Sequence, residues 1–220
     1  MSIHLQTEID RLKKQILTLS AMVEENVGLS VKAAQNRAPE LAEQVIEQDK
    51  KIDHMEIEIE EECLKALVLY QPVAIDLRYI ISVLKINNDL ERIGDLAVSV
   101  AKNAMSLNGL SLPDLPIDLP GMADMVKAIL KKSLDSMINL DGDLARDVLA
   151  DDNAIDEVHN ETKDLIHEAM SRDPDMIRAL SHLLQISRRL ERIADHATNI
   201  AEDVIYMVEA EIIRHTPGEG

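Results

Sequence analysis

Apolar side chains recur at three- and four-residue intervals along almost the whole chain. Leu41, Val45, Ile52, Met55, Cys63 and Ala66 trace one stripe, and Ile80, Val83, Leu84, Ile86, Leu90, Ile93, Ala97 and Val100 trace another. Residues at such spacings share one face of an α-helix, so each stripe predicts a helix with one buried side. The stripes are interrupted at Pro39, Pro72, Pro113, Pro116, Pro120 and Pro174, with Gly109, Gly121 and Gly142 beside similar gaps. Proline and glycine stop or turn helices, and these breaks predict helices at about residues 3–36, 40–70, 73–107, 121–140, 143–171 and 175–213.

The stripes occur twice. Leu144, Val148, Ile155, Val158, Ile166 and Ala169 repeat the first at an offset of 103 residues, and Leu180, Leu183, Leu184, Ile186, Leu190, Ile193, Ala197 and Ile200 repeat the second at an offset of 100. The change of offset places a three-residue deletion in the loop between them. The sequence therefore predicts an all-α protein of two tandem three-helix bundles related by internal duplication, each up-down-up with short connections. The expected division is a first bundle at 1–108, the proline-rich linker "GLSLPDLPIDLPG" at 109–121, a second bundle at 122–214 and a tail at 215–220.

Composition supports helices and narrows the partners. Of 220 residues, 46% are hydrophobic, yet there are three Tyr, no Phe and no Trp, so the core is built from Ile, Leu, Val, Met and Ala. With 23 Lys and Arg against 41 Asp and Glu, the formal charge of -18 repels phosphate backbones and argues against nucleic acid. Such a field attracts cations or the basic patches of other proteins. The single cysteine, Cys63, reads as a small buried apolar residue and points to a reducing compartment. The start "MSIHLQTEIDRLKKQ" lacks the apolar core of a signal peptide, and no stretch reaches the ~18 apolar residues of a membrane span. A cytoplasmic protein without direct membrane insertion is expected.

Acidic pairs are duplicated with the helices. "NNDLERIGDLAVSVAKN" carries Glu91 and Asp95, and "SRRLERIADHATNIAED" carries Glu191 and Asp195, each pair four residues apart on one helical face. Asp49 and Asp53 form a similar pair on the preceding helix of the first repeat, and Asp152 and Asp156 on that of the second. In an antiparallel hairpin turning near residue 72, Asp49 stands level with Asp95 and Asp53 with Glu91. A turn near 173 brings Asp152 level with Asp195 and Asp156 with Glu191. Each bundle is thus expected to gather four carboxylates within about one helical turn (~5.4 Å).

Four such anions repel one another unless a cation lies among them. Oxygen ligands suit Mg2+, Mn2+, Ca2+ or iron, whereas structural zinc usually recruits Cys or His. His54 and His196, beside the acids, are candidate softer ligands, and the expected ion is Mg2+, Mn2+, iron or zinc. The alternative is a solvated acidic face, with Lys50, Lys51, Arg92 and Arg192 as surface counter-charges. Asp156-x-x-His159 and Asp164-x-x-His167 do not complete a di-iron set, which needs Glu-x-x-His on two helices and two further Glu. With no Gly-rich phosphate loop, nucleophile elbow or Cys/His pair, an enzyme is not expected. A carboxylate metal-dependent bundle enzyme or a metal store is the competing class.

"LERIGDLAVSVAKN" and "LERIADHATNIAED", together with "QPVAIDLRYIISVLKINNDLERIGD" and "VIEQDKKIDHMEIEIEEECLKAL", closely resemble the PhoU family of phosphate-transport accessory proteins. The likeness runs from "MVEENV" to "EAEIIRH". It implies two three-helix bundles, a cytoplasmic location at the inner face of the membrane, and negative regulation of phosphate uptake and phosphate-starvation signalling. The partners it implies are the ATPase subunit of the phosphate ABC transporter, a sensor histidine kinase and a second copy in a homodimer. Some members bind metal ions or multinuclear iron clusters through Glu/Asp-x-x-x-Asp motifs, which match Glu91 and Asp95, then Glu191 and Asp195. Asp49, Asp53, Asp152 and Asp156 match acidic positions of the preceding helices. The motif often continues with Asn four residues on, implying a ligand at Asn199 where the first repeat has Ser99.

Overall fold

A computed structural model describes residues 3–112 and 114–210. Among them are six long helices: α1 (Ile3–Asn36), α2 (Pro39–Tyr70), α3 (Ala74–Ser106), α4 (Leu119–Asn139), α5 (Gly142–Arg172) and α6 (Ile177–Glu209). Residues 211–213, expected as helix, and the expected tail at 215–220 lie outside the described residues. The helix breaks are the prolines and glycines of the sequence. Gln71 turns left-handed (φ 46°) and its N–H closes on Leu67 O, after which Pro72 stops α2.

Two starts differ from the sequence expectation. Asp118 caps α4 by accepting from Gly121 N at 2.8 Å, so α4 begins at Leu119, inside the stretch expected as linker. A Cβ at Gly121 would collide with the Asp118 carboxylate, which is why this cap uses glycine. A single 3-10 turn, Pro174–Met176, precedes α6, because Asp173 accepts from Asp175 N and Pro174 fixes the tight turn.

The predicted stripes face the core, with Leu41, Met55, Leu144 and Val158 only partly buried. Val45, Ile52, Cys63 and Ala66 are buried on α2, and their counterparts Val148, Ile155, Ile166 and Ala169 are buried on α5. On α3 and α6 every matched position is buried except Leu84 and Leu184, which pack partly buried at the margin. Burying such aliphatic side chains contributes about 1.5–3 kcal/mol each, less the chain entropy lost on ordering. α1, α2 and α3 pack together as one trio, α4, α5 and α6 as another, and α3 lies along α6.

That α3–α6 seam carries a polar ladder. Lys85 Nζ meets Asp203 Oδ1 at 3.0 Å, and Asp89 Oδ1 accepts from His196 Nδ1 at 2.8 Å and Asn199 Nδ2 at 3.3 Å. Further along, Arg189 Nε donates to Ser99 Oγ at 2.9 Å, and His182 Nδ1 donates to Asn103 Oδ1 at 3.0 Å. Successive contacts climb α3 while descending α6, so the two helices run antiparallel. Asp89 and Arg189 occupy equivalent repeat positions, as do Ser99 and Asn199. The Asp89–Asn199 and Arg189–Ser99 bonds are therefore one contact made twice about a pseudo-two-fold axis, with the chemistry exchanged.

Candidate metal centres

The carboxylates are carried by α2 and α3 in the first repeat and by α5 and α6 in the second. In the second repeat, Asp152, Asp156 and Asp195 each bring one carboxylate oxygen within 4.8 Å of the others. Burial pushes the Asp152 carboxyl up to about 6, with the charges of Asp156 and Asp195 adding to it. Glu191 belongs to the same field. Burial raises its carboxyl above the usual range, and Asp195 and Asp156 raise it further.

In the first repeat the matching acids influence one another's charge, but among the described residues no three of them bring oxygens within 4.8 Å of one another. Burial pushes Asp49 up to about 6, reinforced by Asp53, Asp95 and Glu91. Burial also raises the Glu91 carboxyl above its usual range and the charge of Asp95 raises it further, while Arg92 favours its charged form. Arg92 partly neutralises this set: its Nε is 3.4 Å from Glu91 Oε2 and its Nη1 is 3.7 Å from Asp95 Oδ2. Of the eight predicted carboxylates, Asp152, Asp156 and Asp195 are the three that, among the described residues, bring oxygens within 4.8 Å of one another; the others are linked to these or to each other by the mutual repulsion of their charges.

One detail distinguishes these groups from solvated acidic faces. Asp49 Oδ1 and Asp152 Oδ1 are shielded from solvent and have no hydrogen-bond partner. They are 103 residues apart and so occupy the same place in the two repeats. A shielded carboxylate oxygen without a donor is costly, and a cation is the partner that would satisfy it. The donor set is wholly oxygen, which fits hard cations such as Mg2+, Mn2+ or Ca2+, and iron, better than zinc.

Asn199 and the two histidines lie elsewhere. Asn199 points its amide across the seam to Asp89, because the side chain four residues beyond Asp195 has rotated toward α3. Its counterpart Ser99 likewise faces Arg189. His196 joins Asp89 in the ladder, and His54 Nε2 pairs with exposed Glu58 Oε1 at 3.2 Å on α2's outer side. Lys50 is engaged by Glu47 at 2.6 Å.

Another acid was not anticipated. Glu56 is partly buried beside the first group; burial raises its carboxyl, with Glu60, Glu91 and Asp53 contributing, and Asn87 Nδ2 donates to its Oε1 at 3.2 Å. The signal was present in its spacing, seven residues after Asp49 and three after Asp53. Its repeat counterpart is His159, whose Nδ1 shares a 2.8 Å hydrogen bond with Ser187 Oγ. Burial lowers the proton affinity of that histidine.

The PhoU domain profile matches residues 16–104 and 119–204, one span per bundle. The chain belongs to the PhoU family. The phosphate-specific transport system accessory protein PhoU homologues of Pseudomonas putida and Aquifex aeolicus are each 37% identical over 210 residues. These alignments span 94% of this chain, with 82% of the first relative and 94% of the second. The crystal structure of PhoU from Pseudomonas aeruginosa superposes with a TM-score of 0.91 at 36% identity, covering 94% of this chain and 99% of that one. The phosphate transport system regulatory protein PhoU from Streptococcus pneumoniae gives 0.85 at 27% identity, over 95% and 99%.

Proposed function

We propose that this PhoU-family chain is a non-enzymatic negative regulator of phosphate uptake and phosphate-starvation signalling. It acts at the cytoplasmic face of the membrane by contact with the transporter's ATPase subunit and a sensor histidine kinase. The observation that carries the reading is the near-full-length relationship to proteins named as accessory or regulatory components of phosphate transport. Among the described residues no helix is long and apolar enough to cross a membrane, consistent with attachment through partners. A homodimer belongs to the same reading.

Asp49, Asp53, Glu91 and Asp95 would hold a cation in the first bundle, and Asp152, Asp156, Glu191 and Asp195 one in the second. A bound metal would supply positive charge and ligand-site rigidity. The chain's own part is to set α2 against α3, and α5 against α6, so that the carboxylates converge while the polar ladder fixes the two pairs to each other. Regulation requires different affinities for a partner in two states. The test is alkaline phosphatase reporter activity and phosphate uptake in phosphate-rich medium. A deletion strain should show high reporter and unrestrained uptake, both restored by the intact gene. Unchanged reporter and uptake on deletion would refute the regulatory role.

The close approach of Asp152, Asp156 and Asp195 is the observation favouring the competing metal enzyme or store. Stoichiometric redox-active iron with turnover of dioxygen or peroxide would establish it. Full regulatory activity from metal-free protein would remove it.

A further inference from the structure

The α2–α3 end of the first bundle exposes large apolar side chains: Leu64 at 49%, Val68 at 73%, Leu69 at 70%, Val73 at 74% and Ile75 at 68%. Exposed aliphatics grouped within so short a stretch mark an interaction surface more often than scattered ones do. The duplication supplies an internal control. At the matching end of the second bundle, the counterparts by the repeat offsets of 103 and 100 residues are His167, Ser171, Arg172, Asp173 and Asp175, the last two at a 3-10 turn where the first bundle begins α3. The fold therefore does not require apolar residues here.

From this we infer that the α2–α3 tip is a docking surface for a protein partner presenting an apolar socket edged by lysine and arginine. The chain's charge identifies that chemistry. Residues 57–77 contain five acids, Glu58, Glu60, Glu61, Glu62 and Asp76, against one lysine. That lysine, Lys65, is engaged by Glu61 at 3.7 Å and Glu62 at 3.1 Å. An anionic lipid surface would be repelled by this rim, and two tips meeting face to face would oppose like charges. A basic rim on a different polypeptide complements it, while the aliphatic tip supplies the desolvated centre of the contact. The α5–α6 end of the second bundle exposes a single large aliphatic among the described residues, Ile177, which leaves the pseudo-symmetric protein with one such tip and gives a partner a single orientation.

The inference rests on the proposed regulatory reading, in which the transporter's ATPase subunit is a partner, and the experiment separates the two. Purified full-length chain is bound to immobilised, purified ATPase subunit and compared with a tip variant written from the second repeat: Val68→Ser, Leu69→Arg, Val73→Asp and Ile75→Asp. All four positions are exposed, and unchanged helicity and melting confirm the variant's fold; Leu69→Arg alone replaces it if the fold is lost. The expected result is binding by the parent and at least about a hundredfold weaker binding by the variant. Charge reversal at Glu58, Glu60 and Glu61 to Lys should slow association with little change in dissociation. Equal binding by parent and tip variant overturns the inference while leaving the partner reading intact. No binding by the parent overturns both. A parent dimer that becomes monomeric in the variant by light scattering assigns the tip to a second copy. Flotation with phosphatidylserine vesicles lost only in the variant assigns it to membrane. Either result overturns the proposal.

Discussion

Replacing Asp49 and Asp152 by asparagine should stabilise the metal-free protein at neutral pH, although both residues lie at the heart of their sites. Each carboxyl is raised from 3.8 to about 6 by burial and by neighbouring acids. At about 1.4 kcal/mol per tenfold change in proton affinity, the full displacement corresponds to about 3 kcal/mol. Both groups are partly exposed, and solvent screening reduces this to about 1 kcal/mol each. The sign follows from linkage. A folded carboxyl with a raised pKa holds its proton where the unfolded chain has lost it, so stability falls as pH rises from about 4 to 6 and stays low above. Asparagine carries no charge and does not take part in this loss. In chelator at pH 7 the double variant should be more stable by about 2 kcal/mol, a rise in Tm of about 4–8 °C by calorimetry. At pH 4 the difference should vanish. Saturating divalent metal should reverse the order, because a ligand at a hundred times its Kd adds about 2.7 kcal/mol to the parent. A variant that melts lower than the parent in chelator at pH 7, or a gap that persists at pH 4, would refute the reasoning.

Glu91→Gln with Glu191→Gln should abolish saturable metal binding in calorimetric titration while preserving helicity. In the parent, metal affinity should fall below about pH 6 as Asp49 and Asp152 take up protons. Gly94→Ala places a Cβ 3.0 Å from Asp49 Oδ1 and 3.3 Å from Ile52 Cγ2; it should cost about 1–2 kcal/mol in urea unfolding and weaken metal binding at the first site alone. Asp89→Ala removes the shared acceptor of His196 and Asn199, and should lower stability by about 2 kcal/mol by denaturant midpoint. Burial pushes the Cys63 thiol up to about 12, so a disulfide reagent at pH 8 should label it only on unfolding.

Much of this was legible because duplication made the signal redundant. A stripe such as Val45, Ile52, Cys63 and Ala66 is a helix face on periodicity alone, and its recurrence at Val148, Ile155, Ile166 and Ala169 turned six helices into two matched trios. Counting from the turns set Asp152 level with Asp195, and these two do meet, with Asp156, within 4.8 Å, since antiparallel helices with tight connections leave little freedom in register. Asn199 escaped for a related reason. Spacing of four continues a helix face only approximately, and the drift carries this side chain to the α3–α6 seam, which no single-helix pattern describes. Asp89 has no helical signature either, because its partners come from the other bundle. Glu56 was hidden in the run of acids from Glu56 to Glu62, where Ile59 alone marked the inward face. The shielded oxygens of Asp49 and Asp152 depend on packing around each side chain and have no signal in spacing.

The most direct test is complementation of the deletion strain, in phosphate-rich medium, by a chain carrying Asp49→Asn, Glu91→Gln, Asp152→Asn and Glu191→Gln. The alkaline phosphatase reporter is read beside the cellular level and the melting of the purified variant. Regulation through the paired carboxylate sites predicts a stable, folded, abundant protein that leaves the reporter high. Full repression by that metal-free variant would contradict it and leave the carboxylates as acidic surface on a scaffold that works by shape alone.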